Sequence, residues 1–481
     1  MSLAQQKQSE ATAPAPPDGF IPAMPPRLTE RLSPIKAILR ARQNVIAVWP
    51  EEAYFAGFLA QKFFLRWLFI ANSPRTVRHV LFSNVENYPK SDEMKNALGP
   101  LIGNSMLLSD GAIWRRQRRN ATPAFHVRRI KQFSETMAAT AAEQAERWDA
   151  AIDQGGGAVE LEMGEQMAQV TAEVICRTMF SSDLGDKAAI IYESFTDYID
   201  ALRQVEFDEF MGLPSWLPKR PSFKAKKALR SINDVLDGMI NARRGHEDEY
   251  QDLLSILLAV RDEDTGGERP HDEIRDELSV FFFAGHETTA NALAWTWYLI
   301  SNAPGVETKF HEEIDRVLRG RQPTYADVAE LPYVRSVFEE ALRLYPPIPI
   351  ITRRARAEDK VGGKTIPAGS FVAVCPWLLH RHRGLWRNPD HFDPDRFYHE
   401  KVEPPPGVEP PKPRHKLAYV PFGAGPRTCI GASFAMTESV LILSILGQRF
   451  RLRMREGHPV EPQSRLTLRP RYGLPMTISR R

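Results

Sequence analysis

Pro421-Phe422-Gly423-Ala424-Gly425-Pro426-Arg427-Thr428-Cys429-Ile430-Gly431 is the stretch on which the reading of this 481-residue chain turns. Its three glycines and two prolines make a tight loop whose backbone can approach a flat ligand closely. The apolar run Ala432–Gly447 that follows has the pattern of a helix, so Cys429 lies just before a helix N-terminus. Amide N–H groups and the helix dipole there stabilise a thiolate. Arg427 adds a cation suited to a carboxylate. A structural cysteine in a Gly-rich turn would account for the residue but not for this spacing.

Working outward, the chain offers Cys429 no company. Cys176 and Cys375 are the other cysteines, too few and too scattered for a disulfide framework or a zinc site. A reducing compartment fits that usage. A metal at Cys429 must therefore bring its remaining ligands with it, as a haem does. His311-Glu312-Glu313 suggests a zinc protease, but Asp315 stands where the second His is needed.

Phe422, Gly425, Arg427, Cys429 and Gly431 fit F-x-x-G-x-R-x-C-x-G in full, and by this loop the chain resembles the cytochrome P-450 family. The resemblance implies a mainly α fold with a smaller β portion and a long central helix over a haem b. Cys429 would be the iron's thiolate ligand, with Phe422, Arg427 and Gly431 forming the cofactor's loop. Glu340-Ala341-Leu342-Arg343 fits the family's E-x-x-R, and Glu340 and Arg343 share a helical face at i, i+3. Phe392-Asp393-Pro394-Asp395-Arg396-Phe397 supplies the third member, Arg396, of a structural charge network. Trp114-Arg115-Arg116-Gln117-Arg118 matches W-x-x-x-R, which points Trp114 and Arg118 at a haem propionate. Arg354 and His380 are further propionate candidates by position. At His380-Arg381-His382-Arg383 the chain departs from the usual Asp and Pro after the first Arg.

Asp272–Ser301 reads as a core helix, apolar on nearly every face in its second half, yet Ala284-Gly285-His286-Glu287-Thr288-Thr289 stands at its middle. A mid-helix Gly costs ~1 kcal/mol against Ala, and a buried ionisable group costs more unless paired. Rules broken at the centre of a core helix mark a site. The segment fits the family's A/G-G-x-D/E-T-T signature. A thiolate ligand favours O–O cleavage, which needs protons delivered to the outer oxygen. Thr288 and Glu287 are the catalytic candidates for that delivery, and His286 is expected to pack.

The remaining sequence sets the frame. Net charge is only +3, with 43% hydrophobic and 26% charged residues, which argues against nucleic acid as a partner. Residues 1–26 read as a flexible polar tail, and residues 27–481 as one domain. Phe63–Ala71 is expected as a strand, with a short helix after Pro74. Asp110–Arg261 should be mostly helical, including Phe133–Asp149 and Leu161–Met179, with a loop at Pro214, Pro218 and Pro221. Tyr333–Leu344 has helical spacing. Short strands are expected between Ile348 and Cys375, turning at Gly362–Gly363 and Pro367–Gly369. Residues 398–416 make a Pro-rich surface loop. Phe55–Ile70 is interrupted by Gln61, Lys62 and Arg66 and is a poor membrane span.

The expected function is a soluble, cytoplasmic, monomeric monooxygenase that inserts one atom of O2 into a lipophilic substrate by hydroxylation or epoxidation. Leu101–Leu108, Phe282, Ala284, Ile348–Ile351 and Tyr472–Leu474 are candidate walls of the substrate cavity. No flavin or iron–sulfur segment is present, so NAD(P)H electrons are expected through a separate ferredoxin or flavodoxin with its reductase. The basic stretch Arg115, Arg116, Arg119, Arg128, Arg129 and Lys131 is either its docking site or a solvated helix face. A peroxide-using or isomerising haem-thiolate enzyme and a haem sensor are the alternatives. The Glu287-Thr288 pair argues against the peroxide-using or isomerising enzyme, and a sensor would not need a wide apolar cavity.

Overall fold

The helix around which the protein is built runs from His271 to Ser301, 31 residues, or about 46 Å at ~1.5 Å per residue. From Leu278 onward it is buried on most faces, as its sequence requires. Helix Met163–Met179 packs along it, and the approach is close. A Cβ on Gly285 would stand 2.6 Å from Ile175 Cδ1, and Thr171 donates its hydroxyl to the His286 carbonyl at 3.1 Å. The mid-helix glycine thus fits a helix crossing as well as a site. The computed structural model describes residues 19–481 apart from 64–65, 182–193, 196–197, 199–222, 251, 262–265, 401 and 403–414.

Helices Val127–Gln154, Phe223–Arg243, Pro304–Leu318, Pro332–Leu344 and Ala432–Arg449 complete the main α body. One four-stranded sheet joins distant parts of the chain, in the order Phe58–Phe63, Arg66–Ala71, Phe371–Val374, Ile351–Arg354. Its middle pair is parallel and its outer pairs antiparallel. A second sheet sets Pro475–Arg480 between Ala158–Glu162 and Phe450–Met454. Two hairpins complete the β portion, Asp359–Val361 with Lys364–Ile366 and Pro462–Ser464 with Leu468–Pro470. The fold is mainly α with a smaller β portion, as the sequence implies.

Several boundaries differ from expectation. Phe63–Ala71 is not one strand: Phe63 ends the first strand of a hairpin and Arg66 opens the second. Leu161 belongs to a strand paired with Met476, and the following helix starts at Met163, where Glu162 Oε2 accepts from the Glu165 N–H at 2.7 Å. The polar tail expected over residues 1–26 is docked from Phe20 onward. The Phe20 carbonyl accepts from Phe392 N–H, and Ala23 is held by both Tyr298 and Tyr345 hydroxyls. Residues 1–18, Pro214, Pro218, Pro221 and most of the 398–416 loop lie outside the described residues. Among the described residues, no helix is long and apolar enough to cross a membrane.

Candidate active site

Cys429 sits where its loop demands. Its N–H donates to the Phe422 carbonyl at 2.8 Å, closing the loop, and the helix Ala432–Arg449 starts just beyond. Gly425 adopts φ +76, and a Cβ there would stand 2.0 Å from the Leu81 carbonyl oxygen, so only glycine fits. Burial pushes the Cys429 thiol up, while the Gly431 N–H and the nearby Arg118 guanidinium pull it down. The residue nonetheless counts as exposed, because it lines an internal cavity of about 710 Å³. That volume lies within the range of cofactor and substrate sites.

Three of the elements that line the cavity carry the motif residues. The Cys loop contributes Phe422, Arg427, Cys429 and Gly431, and the central helix contributes Phe281, Ala284, Gly285 and Thr288. The helix Gly111–Ala121 contributes Trp114 and Arg118. Arg118 donates to the Thr428 carbonyl at 2.9 Å, one residue from Cys429. Arg427 lies over the Trp114 ring at 4.6 Å and reaches Asp110 at 2.6 Å and the Ser109 carbonyl at 3.0 Å. Thr288 Oγ1 donates to the Ala284 carbonyl at 2.8 Å, within its own helix.

Two propionate candidates are displaced. Arg354 is not on the cavity wall; it pairs with Glu93 at 3.0 Å. Its neighbour Arg353 lines the cavity instead, at the end of the run Ile350–Arg353 that faces it. His380 is buried beneath the Cys loop, where its Nε2 accepts from the Val420 N–H at 2.9 Å and its carbonyl accepts from Arg343 at 2.8 Å. It belongs to the scaffold, along with Glu340 and Arg343.

Glu287 also departs from expectation. It does not line the cavity; its Oε1 accepts from Arg469 at 2.6 Å and from the Thr467 hydroxyl. Neighbouring helical residues are rotated about 100° apart, and here the rotation leaves Thr288 and Thr289 on the cavity wall and turns Glu287 away from it. His286 is buried, with Nδ1 on the Phe282 carbonyl at 2.9 Å and aromatic contacts to Phe195 and Phe282. Of the expected walls, Met106, Leu107, Ala284, Ile348, Ile350 and Ile351 are found. Phe281 and Phe283 replace Phe282, and Ser464–Thr467 replace Tyr472–Leu474, which lie past the hairpin turn.

Sequence reading missed Lys90 and Arg353. Lys90 carries no motif; it follows Pro89 in a segment whose role depends wholly on packing. Burial, with Arg353 and Arg427 nearby, holds the Lys90 ammonium well below the ordinary lysine range. Burial and Arg427 push Arg353 down to about 10 against the pull of Asp110. Arg353 Nε is buried and finds no hydrogen-bond partner. Lys90, Arg118, Arg353 and Arg427 thus line one cavity with Asp110 as the acid that reaches Arg427, an electrostatic demand for bound anions. A haem b, with two carboxylates, a flat apolar ring and an iron that takes a thiolate, fits these residues.

With this geometry in place, the comparisons with known proteins converge. The Cytochrome P450 family model matches residues 63–476. Cyclooctatin synthase of Streptomyces melanosporofaciens is 35% identical over 405 residues, 84% of each chain. Cyclooctat-9-en-7-ol 5-monooxygenase of the same organism is 34% identical over 389 residues, 80% of each chain. The crystal structure of the cytochrome P450DA heme domain superposes with a TM-score of 0.75 at 25% identity, covering 96% of this chain and 98% of that one. The chain belongs to the cytochrome P450 family. It is a haem-dependent monooxygenase that uses O2.

Proposed function

We propose that Cys429 would hold the haem iron as its thiolate, that Trp114, Arg118, Arg353, Arg427 and Lys90 would hold the haem carboxylates, and that the substrate is a lipophilic molecule hydroxylated or epoxidised beside Thr288. The observation that carries this reading is one cavity lined by a helix-end cysteine, by cations that include Lys90, Arg118, Arg353 and Arg427, and by the mid-helix Thr288 among mostly apolar walls. When bound, the haem supplies a redox-active iron able to reduce dioxygen and oxidise the substrate. The Phe422 carbonyl orients the Cys loop through the Cys429 N–H. Ile348, Ile350, Ile351, Phe281 and Met106 offer apolar contact and exclude water, and they present no charge to a substrate. Thr288 offers a hydroxyl that both donates and accepts, suited to holding a proton-delivering water.

Relatives named for cyclooctatin synthesis and for oxidation of cyclooctat-9-en-7-ol support a lipophilic substrate class. Arg115, Arg119, Arg128 and Lys131 are exposed, which suits docking of an acidic ferredoxin or flavodoxin that passes on NAD(P)H electrons. Strand sharing between the N-terminal and C-terminal thirds supports residues 27–481 as one domain. We take it as a monomer working in the cytoplasm.

The test is spectroscopic and then catalytic. Reduced protein under carbon monoxide should show the absorption of thiolate-bound haem, and Cys429→Ser should abolish it. Lipophilic compounds that perturb the haem absorbance should be turned over with a surrogate ferredoxin system and not with peroxide alone. Retention of the thiolate signature in Cys429→Ser, or turnover only with peroxide, would overturn the reading.

A further inference from the structure

Glu287 has no place on the cavity wall, yet a residue whose hydroxyl touches it does. Thr467 stands in the turn between strands Pro462–Ser464 and Leu468–Pro470 and lines the cavity. Its Oγ1 donates to Glu287 Oε1 and accepts from Asn291 Nδ2 at 3.3 Å. Asn291 is one helical turn beyond Glu287, so a single helix face presents both groups to Thr467. The turn is pinned by the Arg465 N–H donating to the Thr467 carbonyl at 2.9 Å. All three side chains are buried, and Thr467 is only 1% exposed. Arg469, which grips Glu287 through Nε at 3.0 Å and Nη2 at 2.6 Å, stands nearer the surface.

We propose that Thr467 is the relay residue through which Glu287 delivers protons to the cavity, an inference that rests on the monooxygenase reading above. Solvent supplies the proton and a water in the cavity accepts it, so the step balances. The Thr467 hydroxyl first turns its proton from Glu287 toward a water in the cavity; a proton that solvent has delivered to the Glu287 carboxylate then passes to the Thr467 Oγ1 lone pair as the hydroxyl's own proton goes to that water. The hydroxyl, neutral before and after, ends with its new proton already directed at the carboxylate. Arg469 donates only and cannot release its proton, so it holds Glu287 in place. Asn291, donating to Thr467, keeps the resting hydroxyl proton directed at Glu287. Thr288 lies on the receiving side of this path, not next in line to Glu287.

Thr467→Val removes the hydroxyl at nearly constant shape, and Thr467→Ser returns it. Product per reduced nicotinamide should fall by about tenfold or more in Thr467→Val while oxygen consumption persists, and Thr467→Ser should recover most of it. The second readout needs no turnover. The carboxylate infrared band assigned by Glu287→Gln should shift in Thr467→Val and return in Thr467→Ser, in resting protein. If Thr467→Val does not load haem, Thr467→Ala carries the same comparison. Wild-type yield and an unmoved infrared band in the variant would overturn the relay. Were Thr288→Ala still to lower the yield in that case, the monooxygenase reading would stand alone. Unchanged yield in both variants would sink the relay together with the role given to Thr288.

Discussion

Arg353 and Arg354 are adjacent on one strand, and only Arg353 lines the cavity; Arg354 is engaged by Glu93 at 3.0 Å. The buried Arg353 Nε lacks a partner, so a bound carboxylate would meet an unsatisfied donor. A charge-assisted hydrogen bond of this kind contributes ~1.5–3 kcal/mol. Arg353→Ala should therefore speed haem dissociation by about tenfold or more, measured by transfer of haem to a scavenger. Arg354→Ala should change it by less than about twofold, since its partly exposed pair is worth ~1 kcal/mol or less. Equal effects would mean that the strand register does not select the cation.

The Glu340–Arg343 pair should decide whether the protein folds. Both side chains are fully buried, with Arg343 Nε and Nη2 each 2.7 Å from the Glu340 carboxylate. Arg343 also donates to the His380, Pro389 and His391 carbonyls, and Glu340 further accepts from Asp393 N–H at 2.9 Å and Arg396 at 3.0 Å. Arg343→Ala leaves a buried carboxylate and three carbonyls short of donors, a loss of ~3–5 kcal/mol. Arg343→Lys should do nearly as badly, because a point charge cannot replace the planar fork. Denaturant unfolding measures both, and a stable, haem-replete Arg343→Lys protein would contradict the geometry.

What the sequence revealed and what it hid divide along a physical line. The Cys429 loop, the Glu340–Arg343 pair and the W-x-x-x-R face are local: spacing along one turn or one helix settles which side chains meet. The central helix His271–Ser301 was legible because length, caps and apolar character all agree. Arg353 was hidden because choosing between two adjacent strand residues requires knowing where the strand leaves the cavity wall. Glu287 was misplaced for a related reason. Its adjacency to Thr288 is visible in sequence, but a 100° rotation sends it to Arg469, 182 residues away along the chain. Lys90 and Thr467 act through packing between remote segments and carry no motif of their own.

Glu277 should give the protein a pH-dependent weakness. It is buried in the central helix, and no hydrogen bond from a side chain reaches either carboxylate oxygen. Burial pushes its carboxyl from 4.5 up to about 7 against the pull of Arg269, with Asp276 and Glu273 adding to the rise. Between these values the folded protein keeps a proton that the unfolded chain has released. Stability therefore falls as pH rises from about 4.5 to 7, by roughly 3 kcal/mol in all. Glu277→Gln should flatten that fall and be the more stable protein at pH 8. Urea unfolding at pH 5.5 and pH 8 measures it; parallel pH dependences would assign the slope to other groups.

Thr288 should control how oxygen is used rather than whether haem or substrate binds. Its hydroxyl is held to the Ala284 carbonyl at 2.8 Å on the cavity wall, so its lone pairs remain available to water. It is neutral, so its removal leaves the cations around the haem carboxylates unaltered. Haem content and substrate-induced absorbance changes in Thr288→Ala should match the parent. Positioned proton transfer is worth ~10²–10⁴ in rate, and a reaction deprived of it should lose its reduced oxygen as peroxide. Thr288→Ala should thus consume reduced nicotinamide and oxygen at a comparable rate while product yield falls about tenfold and peroxide rises in step. Thr288→Ser should restore most of the yield. Product and peroxide counted against nicotinamide settle it, and an unchanged yield in Thr288→Ala would move the proton delivery to another group on the wall.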